Sequence, residues 1–221
     1  MISLKRVEKI YRTSSVETLA LRDINIEVPE GSFFSIMGPS GSGKSTLLNI
    51  MGLIDAPTEG EVRIGGNNVV GMSEKEMAHL RNRKIGFVFQ SFHLIADLTV
   101  VDNVELPLIY RKMTARDRRA KALDALARVG LSARTKHFPT QLSGGQCQRV
   151  AVARAIVGDP EIILADEPTG NLDSAMSNEI MDILLALNKE EKVTIAVVTH
   201  NQGIADRTDK VIRLFDGSQV A

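Results

Sequence analysis

The sequence predicts an α/β protein with a mainly parallel sheet, an antiparallel β subdomain on the N-terminal side and an inserted α-helical subdomain. Three observations predict it. Four short runs are almost continuously apolar: FFSIM (33–37), IGFVF (85–89), EIILA (161–165) and VTIAVV (193–198). Weak two-residue alternation in such runs suits strands buried on both faces, as in a parallel sheet covered by helices. ISLKRVEKIYR, LALRDINIEV and GEVRIGG alternate more clearly, as strands of an antiparallel sheet with one wet face do. Between about 91 and 160 the pattern turns helical.

Each element has its own signal. FFSIM runs directly into GPSGSGKST (38–46) and then the apolar helix start LLNIMGL. TARDRRAKALDALARVG opens on a cap at Thr114 with an acid three residues on, Asp117. Leu123, Leu126 and Ala127 are the expected apolar stripe of that helix, and Gly130 suits the left-handed position that ends it. The helical stretch lies between two core strands. A single domain over 1–221 is expected, with roughly 1–90 and 161–221 forming the core and antiparallel subdomain and 91–160 the helical subdomain.

Composition narrows the function. Among 221 residues, 27 basic and 27 acidic side chains balance, so the basic excess of a nucleic-acid binder is missing and no nucleic-acid partner is expected. The single cysteine, Cys147, excludes an internal disulfide and a cysteine metal cluster. His79, His93, His137 and His200 do not pair at helical ligand spacing. A reducing compartment fits. The opening MISLKRVEKIYR has no apolar block of signal-peptide length, and runs such as IILA fall far short of a span of about 20 residues. A soluble chain able to dock on a membrane partner is expected.

The chemistry begins at 38–46. A strand, then G-x-x-x-x-G-K-S, then a helix is the layout of a P-loop NTPase core. Gly38, Gly41 and Gly43 let backbone N–H groups converge on phosphate oxygens, with Pro39, Ser40 and Ser42 between them. The helix N-terminus adds partial positive charge. Lys44 can reach the β and γ phosphates, Ser45 can ligate Mg²⁺, and Thr46 supports an α-phosphate contact.

ADEPTGNLD supplies the acids. Asp166 ends an apolar run and is placed to hold Mg²⁺ directly or through water. Glu167 is the better candidate for activating the attacking water, and a carboxylate in a water-poor pocket should have its pKa pushed up. Phosphoryl hydrolysis is the leading reaction.

A second glycine-rich helix start, LSGGQ (142–146), follows later in the chain and cannot be explained by the first cradle alone. The order of phosphate loop, GFVFQ, LSGGQ, ILADEPTGNLD and VVTH resembles the nucleotide-binding subunit of ATP-binding cassette (ABC) transporters over essentially the whole chain. The resemblance implies a RecA-like core, ATP and Mg²⁺ as cofactors, and a homodimer in which each ATP lies between one chain's phosphate loop and the other's signature. A γ-phosphate brought to Ser143, Gly144, Gly145 and Gln146 would act as interfacial glue. The resemblance also implies that Gln90 senses Mg²⁺ and the γ-phosphate, and that His200 bonds the γ-phosphate and aligns Glu167 with water. Asp173 would belong to the loop crossing the interface, or cap a helix, or both. Tyr11 would stack under adenine. Cys147 stands where relatives usually carry glutamine or glutamate; a helix N-terminus lowers thiol pKa, although neutral drift at a tolerant position also explains it.

TLALRDINIEV, SIMGPSGSGKSTLLNIMGLID and LADEPTGNLDS resemble the branch of macrolide-exporter and lipoprotein-release ATPases. That implies a separate transmembrane permease subunit and a peripheral place on the cytoplasmic face of the inner membrane. Phe92, Leu94 and Ile95 would face the partner or belong to the helical core. A cell-division ATPase of the same branch is the alternative. A stand-alone cytosolic ABC ATPase would usually show paired cassettes or a coiled-coil insertion, and a non-catalytic cassette would lack Glu167 or His200.

Overall fold

Two sheets carry the chain, and the computed structural model describes residues 2–220 of it. The smaller sheet is antiparallel, in the order β2 (Glu17–Val28), β1 (Ile2–Arg12), β4 (Glu59–Ile64) and β5 (Asn67–Asn68). Its alternating sequence gives it one buried face: Ile2, Leu4 and Val7 of β1 and Val62 and Ile64 of β4 are inside.

The larger sheet has six strands: β3 (Phe33–Met37), β6 (Ile85–Phe89), β7 (Ile162–Asp166), β8 (Thr194–Val198), β9 (Lys210–Phe215) and β10 (Ser218–Val220). Their order is β10-β9-β3-β8-β7-β6. All neighbours are parallel except β10, which folds back on β9. The four apolar runs of the sequence are β3, β6, β7 and β8, and β3, β7's first four residues and all of β8 are buried, as strands covered on both faces must be.

Seven helices connect the strands: α1 (Lys44–Met51), α2 (Glu74–Lys84), α3 (Val100–Ile109), α4 (Ala115–Arg128), α5 (Gly144–Ile156), α6 (Ser174–Glu191) and α7 (Gln202–Ala205). Helices α3, α4 and α5 lie between β6 and β7 in the chain. Two cores form, one on each face of the large sheet. Ile163, Ala165, Ile195 and Val197 point into the core shared with α3, α4, α5 and α6. Ile162, Leu164, Ala196 and Val198 point the other way, into the core shared with α1 and the antiparallel sheet. Each fully buried Leu or Ile contributes about 1.5–3 kcal/mol, so the continuous apolar runs hold both layers at once.

One feature departs from the sequence expectations and two lie outside them. Thr114 caps α4 by accepting from the Asp117 N–H, and Gly130 is left-handed at φ 75°, but the buried stripe of α4 is Ala122, Ala125 and Leu126. Leu123 is exposed and so is Ala127. The stripe is phased one residue away from the expected one: Ala122, Ala125, Leu126 and Val129 recur at three- and four-residue spacing on the face that is buried. Helix α2 carries no expectation from hydrophobic pattern because none of its residues is buried; a capping box between Ser73 and Glu76 fixes its start. Strands β9 and β10 close the sheet through a tight turn with Asp216 at φ 45° and Gly217 at φ 73°, geometry that favours Asp-Gly.

Candidate functional site

The carboxyl ends of four adjacent strands carry the candidate residues. Parallel pairing sets Ile36 beside Val198, Val198 beside Asp166, and Asp166 beside Phe89. The chain then leaves β3 into the glycine loop, β8 into Thr199 and His200, β7 into Glu167, and β6 into Gln90. In open α/β sheets this edge is where ligands bind.

The glycine loop has no room for side chains where it closes. A Cβ at Gly38 would lie 2.2 Å from the Leu214 carbonyl oxygen, and one at Gly43 2.6 Å from that of Ala20. Gly43 also caps α1 at φ 95°, a left-handed value. The Gly217 N–H donates to the Ser42 carbonyl at 3.2 Å, so the β9–β10 turn braces the loop from behind. Ser42 is buried, whereas Pro39, Ser40 and Gly41 are exposed. Lys44 folds back over the loop and its Nζ donates to the carbonyls of Gly38 at 2.9 Å and Pro39 at 2.8 Å. A full positive charge thus sits beside the helix N-terminus, with Ser45 and Thr46 in the first turn. Such an arrangement takes a phosphate tail readily.

Ser45 Oγ donates to Asp166 Oδ2 at 3.5 Å. Burial raises the Asp166 pKa above its ordinary value, the Glu167 charge adds to the rise, and the Ser45 hydrogen bond and Lys44 oppose it. The sequence reading expects such a rise at Glu167; here it is Asp166, the candidate for Mg²⁺, whose pKa burial raises. Two hard oxygen donors with a serine hydroxyl next to a phosphate cradle are the donor set Mg²⁺ uses, completed by phosphate oxygens and water.

Glu167 occupies the left-handed region at φ 46°, a strained place for a branched-free acid as for any non-glycine residue. Its N–H donates to the Val198 carbonyl at 3.0 Å and its own carbonyl accepts from Gly170 N–H at 3.0 Å, which holds the turn. Its Oε1 lies 2.9 Å from His200 Nδ1. The His200 side chain is 74% exposed and that of Glu167 18%, so the pair is anchored on one side and open on the other. A polar cleft of about 340 Å³ adjoins it, lined by Glu167, Thr169, His200, Asn178 and Arg207 among others.

Gln90 forms a reciprocal amide pair with Asn171: Gln90 Nε2 donates to Asn171 Oδ1, and Asn171 Nδ2 to the Gln90 carbonyl, both at 3.1 Å. A Cβ at Gly170 would stand 2.7 Å from Gln90 Nε2 and push that amide aside.

The second glycine-rich start is a well-formed helix cap. Ser143 Oγ accepts from the Gln146 N–H at 3.3 Å while Gln146 Oε1 accepts from the Ser143 N–H at 3.1 Å. The nearest groups to Gly144 and Gly145 are side chains of Phe92, Leu172 and Met176, none of them from the phosphate loop. Asp173 caps α6, accepting from Met176 N–H at 2.8 Å. At the other end of the site, Tyr11 is 41% exposed on β1 and its hydroxyl donates to Asp55 Oδ2 at 2.9 Å.

Cys147 runs against expectation. Burial raises its thiol pKa where the helix N-terminus alone would lower it. The side chain faces inward, 3.5 Å from the Pro139 carbonyl. After Gln90, Leu94 packs on the helical core while Ile95 is 47% exposed, so that apolar stretch divides between the two expected settings.

The sequence model of the ABC transporter family matches residues 21–170. The chain belongs to the ABC transporter family. Its cassette is 51% identical over 220 residues to an uncharacterized ABC transporter ATP-binding protein of Methanocaldococcus jannaschii, covering 100% of this chain and 98% of that one. It is 50% identical over 221 residues to the macrolide export ATP-binding/permease protein MacB of Chlorobium luteolum, where it spans 33% of the relative's length. Its fold superimposes with a TM-score of 0.92 and 48% identity on the ATP-binding cassette MJ0796 of Methanocaldococcus jannaschii, in a dimeric post-hydrolysis state bound to ADP and Pi. The match covers 100% of this chain and 97% of that one. The cassette is an ATP-binding ATPase with the P-loop NTPase fold.

Three side chains to which the sequence reading gave no role meet the candidate residues or their neighbours: Asp55 beside Tyr11, Asn171 beside Gln90, and Gln148 on α5, which reaches the carbonyls of Phe89 and Pro168 next to Gln90 and Glu167. Gln148 had only a weak signal, a glutamine two residues before the apolar run VAVA of α5.

Proposed function

We propose that this cassette is the ATP-hydrolysing subunit of an exporter of the macrolide-export and lipoprotein-release branch, driving a separate membrane permease from the cytoplasmic face of the cell membrane. One observation carries the reading. The row of strand ends brings the glycine loop, Gln90, Asp166, Glu167 and His200 to one edge, while the groups nearest Gly144 and Gly145 come from residues 92, 172 and 176. A complete phosphate cradle with a second, unconnected anion-binding helix start makes sense when a second cassette brings its own cradle to it. The dimeric form of the similar cassette MJ0796 supports that arrangement.

ATP enters with adenine on Tyr11 and its phosphates in the loop of residues 38 to 46. Lys44 exchanges the carbonyls of Gly38 and Pro39 for phosphate oxygens. Ser45, Asp166 and Gln90 would hold Mg²⁺, which would neutralise charge on the transferring phosphoryl group. Glu167 takes a proton from water as the water attacks the γ-phosphorus, and ADP leaves. An ionised Glu167 only accepts hydrogen bonds, so His200 Nδ1 carries the proton between them. The other ring nitrogen, Nε2, is left to face the γ-phosphate.

Ser143, Gly144 and Gly145 of the partner close over the γ-phosphate. Losing that phosphate removes the anion both halves share, so binding closes the pair and hydrolysis opens it. Asp173, next to the crossing point, would cap α6 in both states. Among the described residues no helix is long and apolar enough to cross a membrane, so the span has to come from the permease.

Glu167→Gln, which keeps shape and removes the base, should retain ATP and accumulate a species of about twice the chain mass in light scattering with ATP and Mg²⁺. A strictly monomeric profile at all workable concentrations would sink the shared-nucleotide reading.

A further inference from the structure

Gln148 lies in α5 and has no exposed surface. Its Nε2 donates to the Pro168 carbonyl at 2.6 Å and to the Phe89 carbonyl at 3.3 Å. Phe89 immediately precedes Gln90, and Pro168 immediately follows Glu167. One carboxamide therefore ties the backbone of both reactive loops to the helix that begins at Ser143.

The orientation of that amide is set by chemistry. Both partners are carbonyls, and only an NH₂ group can face two carbonyls. The Gln148 Oε1 is left buried without a donor among the described residues. Buried acceptors without partners are rare in folded proteins, and a methionine would fill nearly the same volume without stranding one. Packing alone does not explain a glutamine here.

A second link runs along the same helix. The Arg154 guanidinium donates to the carbonyls of Phe92 and His93, which are held left-handed at φ 58° and 47°. Helix α5 thus grips the chain on both sides of Gln90, and through Gln148 it also grips the turn after Glu167.

We infer that Gln148 is a positioning residue for hydrolysis: its carboxamide fixes the separation of Gln90 and Glu167 and transmits any rotation of α5 to both. The inference rests on the proposed function, because rotation of α5 matters when Ser143 to Gly145 engage the partner's nucleotide. Nucleotide capture by Lys44 and Tyr11 does not pass through Gln148. The residue therefore acts on the chemical step and on coupling between the two sites, and leaves ATP affinity alone.

The test uses the full chain with Gln148→Met, measured beside wild type and Lys44→Ala. Expected are an ATP dissociation constant within about twofold of wild type, kcat lower by about tenfold to a hundredfold, and a Hill coefficient falling towards one. In the Glu167→Gln background the same change should raise the ATP concentration needed for dimerisation several-fold. Gln148→Asn, still an amide but one methylene shorter, should recover part of the rate. Unchanged kcat and Hill coefficient in Gln148→Met overturn the positioning role, and so does a loss of ATP affinity and melting temperature in proportion to the loss of rate. If the methionine variant does not fold, Gln148→Asn decides alone: reduced kcat with intact affinity supports the role and wild-type kinetics overturn it. A wild-type chain that neither hydrolyses ATP nor dimerises defeats the proposed function itself, an outcome distinct from a failure at Gln148.

Discussion

The Tyr11 ring, proposed above to carry the adenine, is held by its neighbours. Its hydroxyl donates to Asp55, Lys9 Nζ donates to the same carboxylate at 2.6 Å, and that ammonium lies 4.9 Å from the ring centroid. Burial would raise the Asp55 pKa, yet the hydrogen bonds from Lys9 and Tyr11 outweigh it and hold the carboxyl below its ordinary value. The ring is therefore fixed in direction by a charged group that never touches the base. Tyr11→Ala should weaken ATP binding about tenfold, within the range of about 1–3 kcal/mol per stacked base. Asp55→Ala should weaken it less, about twofold to threefold, by freeing a ring that stays present. Fluorescence titration checks both, and an unchanged dissociation constant for Tyr11→Ala would remove the stacking role. Tyr11 is singled out by its place before the motifs, but Asp55 is not, because 44 residues separate the two and nothing in a loop acid announces a partner that far away. The same limit applies to Glu167, whose type is readable but whose left-handed backbone is imposed by Val198 and Gly170. For Cys147 the sequence left a reactive thiol and neutral drift both open, and burial, which the helix-terminus rule does not include, weighs against the first.

Elements were legible where burial on both faces writes a continuous apolar run, and illegible where it does not. β3, β6, β7 and β8 announce themselves, while β9 buries Ile212 and Leu214 and exposes Phe215, and α2 buries none of its residues. The wrong phase of α4 is instructive. Leucines outweigh alanines by eye, so Leu123 drew attention, but α4 packs closely against α3 and α5 through Ala122 and Ala125, where small side chains allow the approach. Leu126→Ala should cost about 2–5 kcal/mol in urea unfolding, the range for deleting a fully buried leucine. Leu123→Ala, at a position 42% exposed, should cost under about 1 kcal/mol. Equal costs would mean that α4 is rotated about its axis by roughly one residue from the arrangement described.

At the scale of the whole molecule, the sheet that joins the two cores also brings the glycine loop, Gln90, Asp166, Glu167 and His200 to one edge, so stability and the proposed chemistry meet at Asp166. The order of motifs made this edge legible, since each follows an apolar run; the distance between signature and cradle was not, since it depends on how α5 packs. Asp166 has a folded-state pKa raised above its ordinary value of 3.8, mainly by burial and then by Glu167. The folded chain therefore holds that proton more tightly than the unfolded chain. Stability conferred by the neutral form is present below 3.8 and is lost as pH rises through the raised folded value, leaving a constant penalty above it. Asp166→Asn removes the charge and keeps the shape. The nucleotide-free variant should melt above wild type at neutral pH, and the gap should close as pH falls through that window. Its ATP hydrolysis should fall at least about a hundredfold, because the Mg²⁺ position loses an anionic ligand. With ATP and Mg²⁺ the order of melting temperatures should reverse, since wild type gains stability by binding and the variant gains less. Calorimetric melts across pH, with and without nucleotide, check each part. A free Asp166→Asn chain melting below wild type at neutral pH would show that the buried carboxylate stabilises the fold, and the opposition between folding and catalysis at this edge would fall.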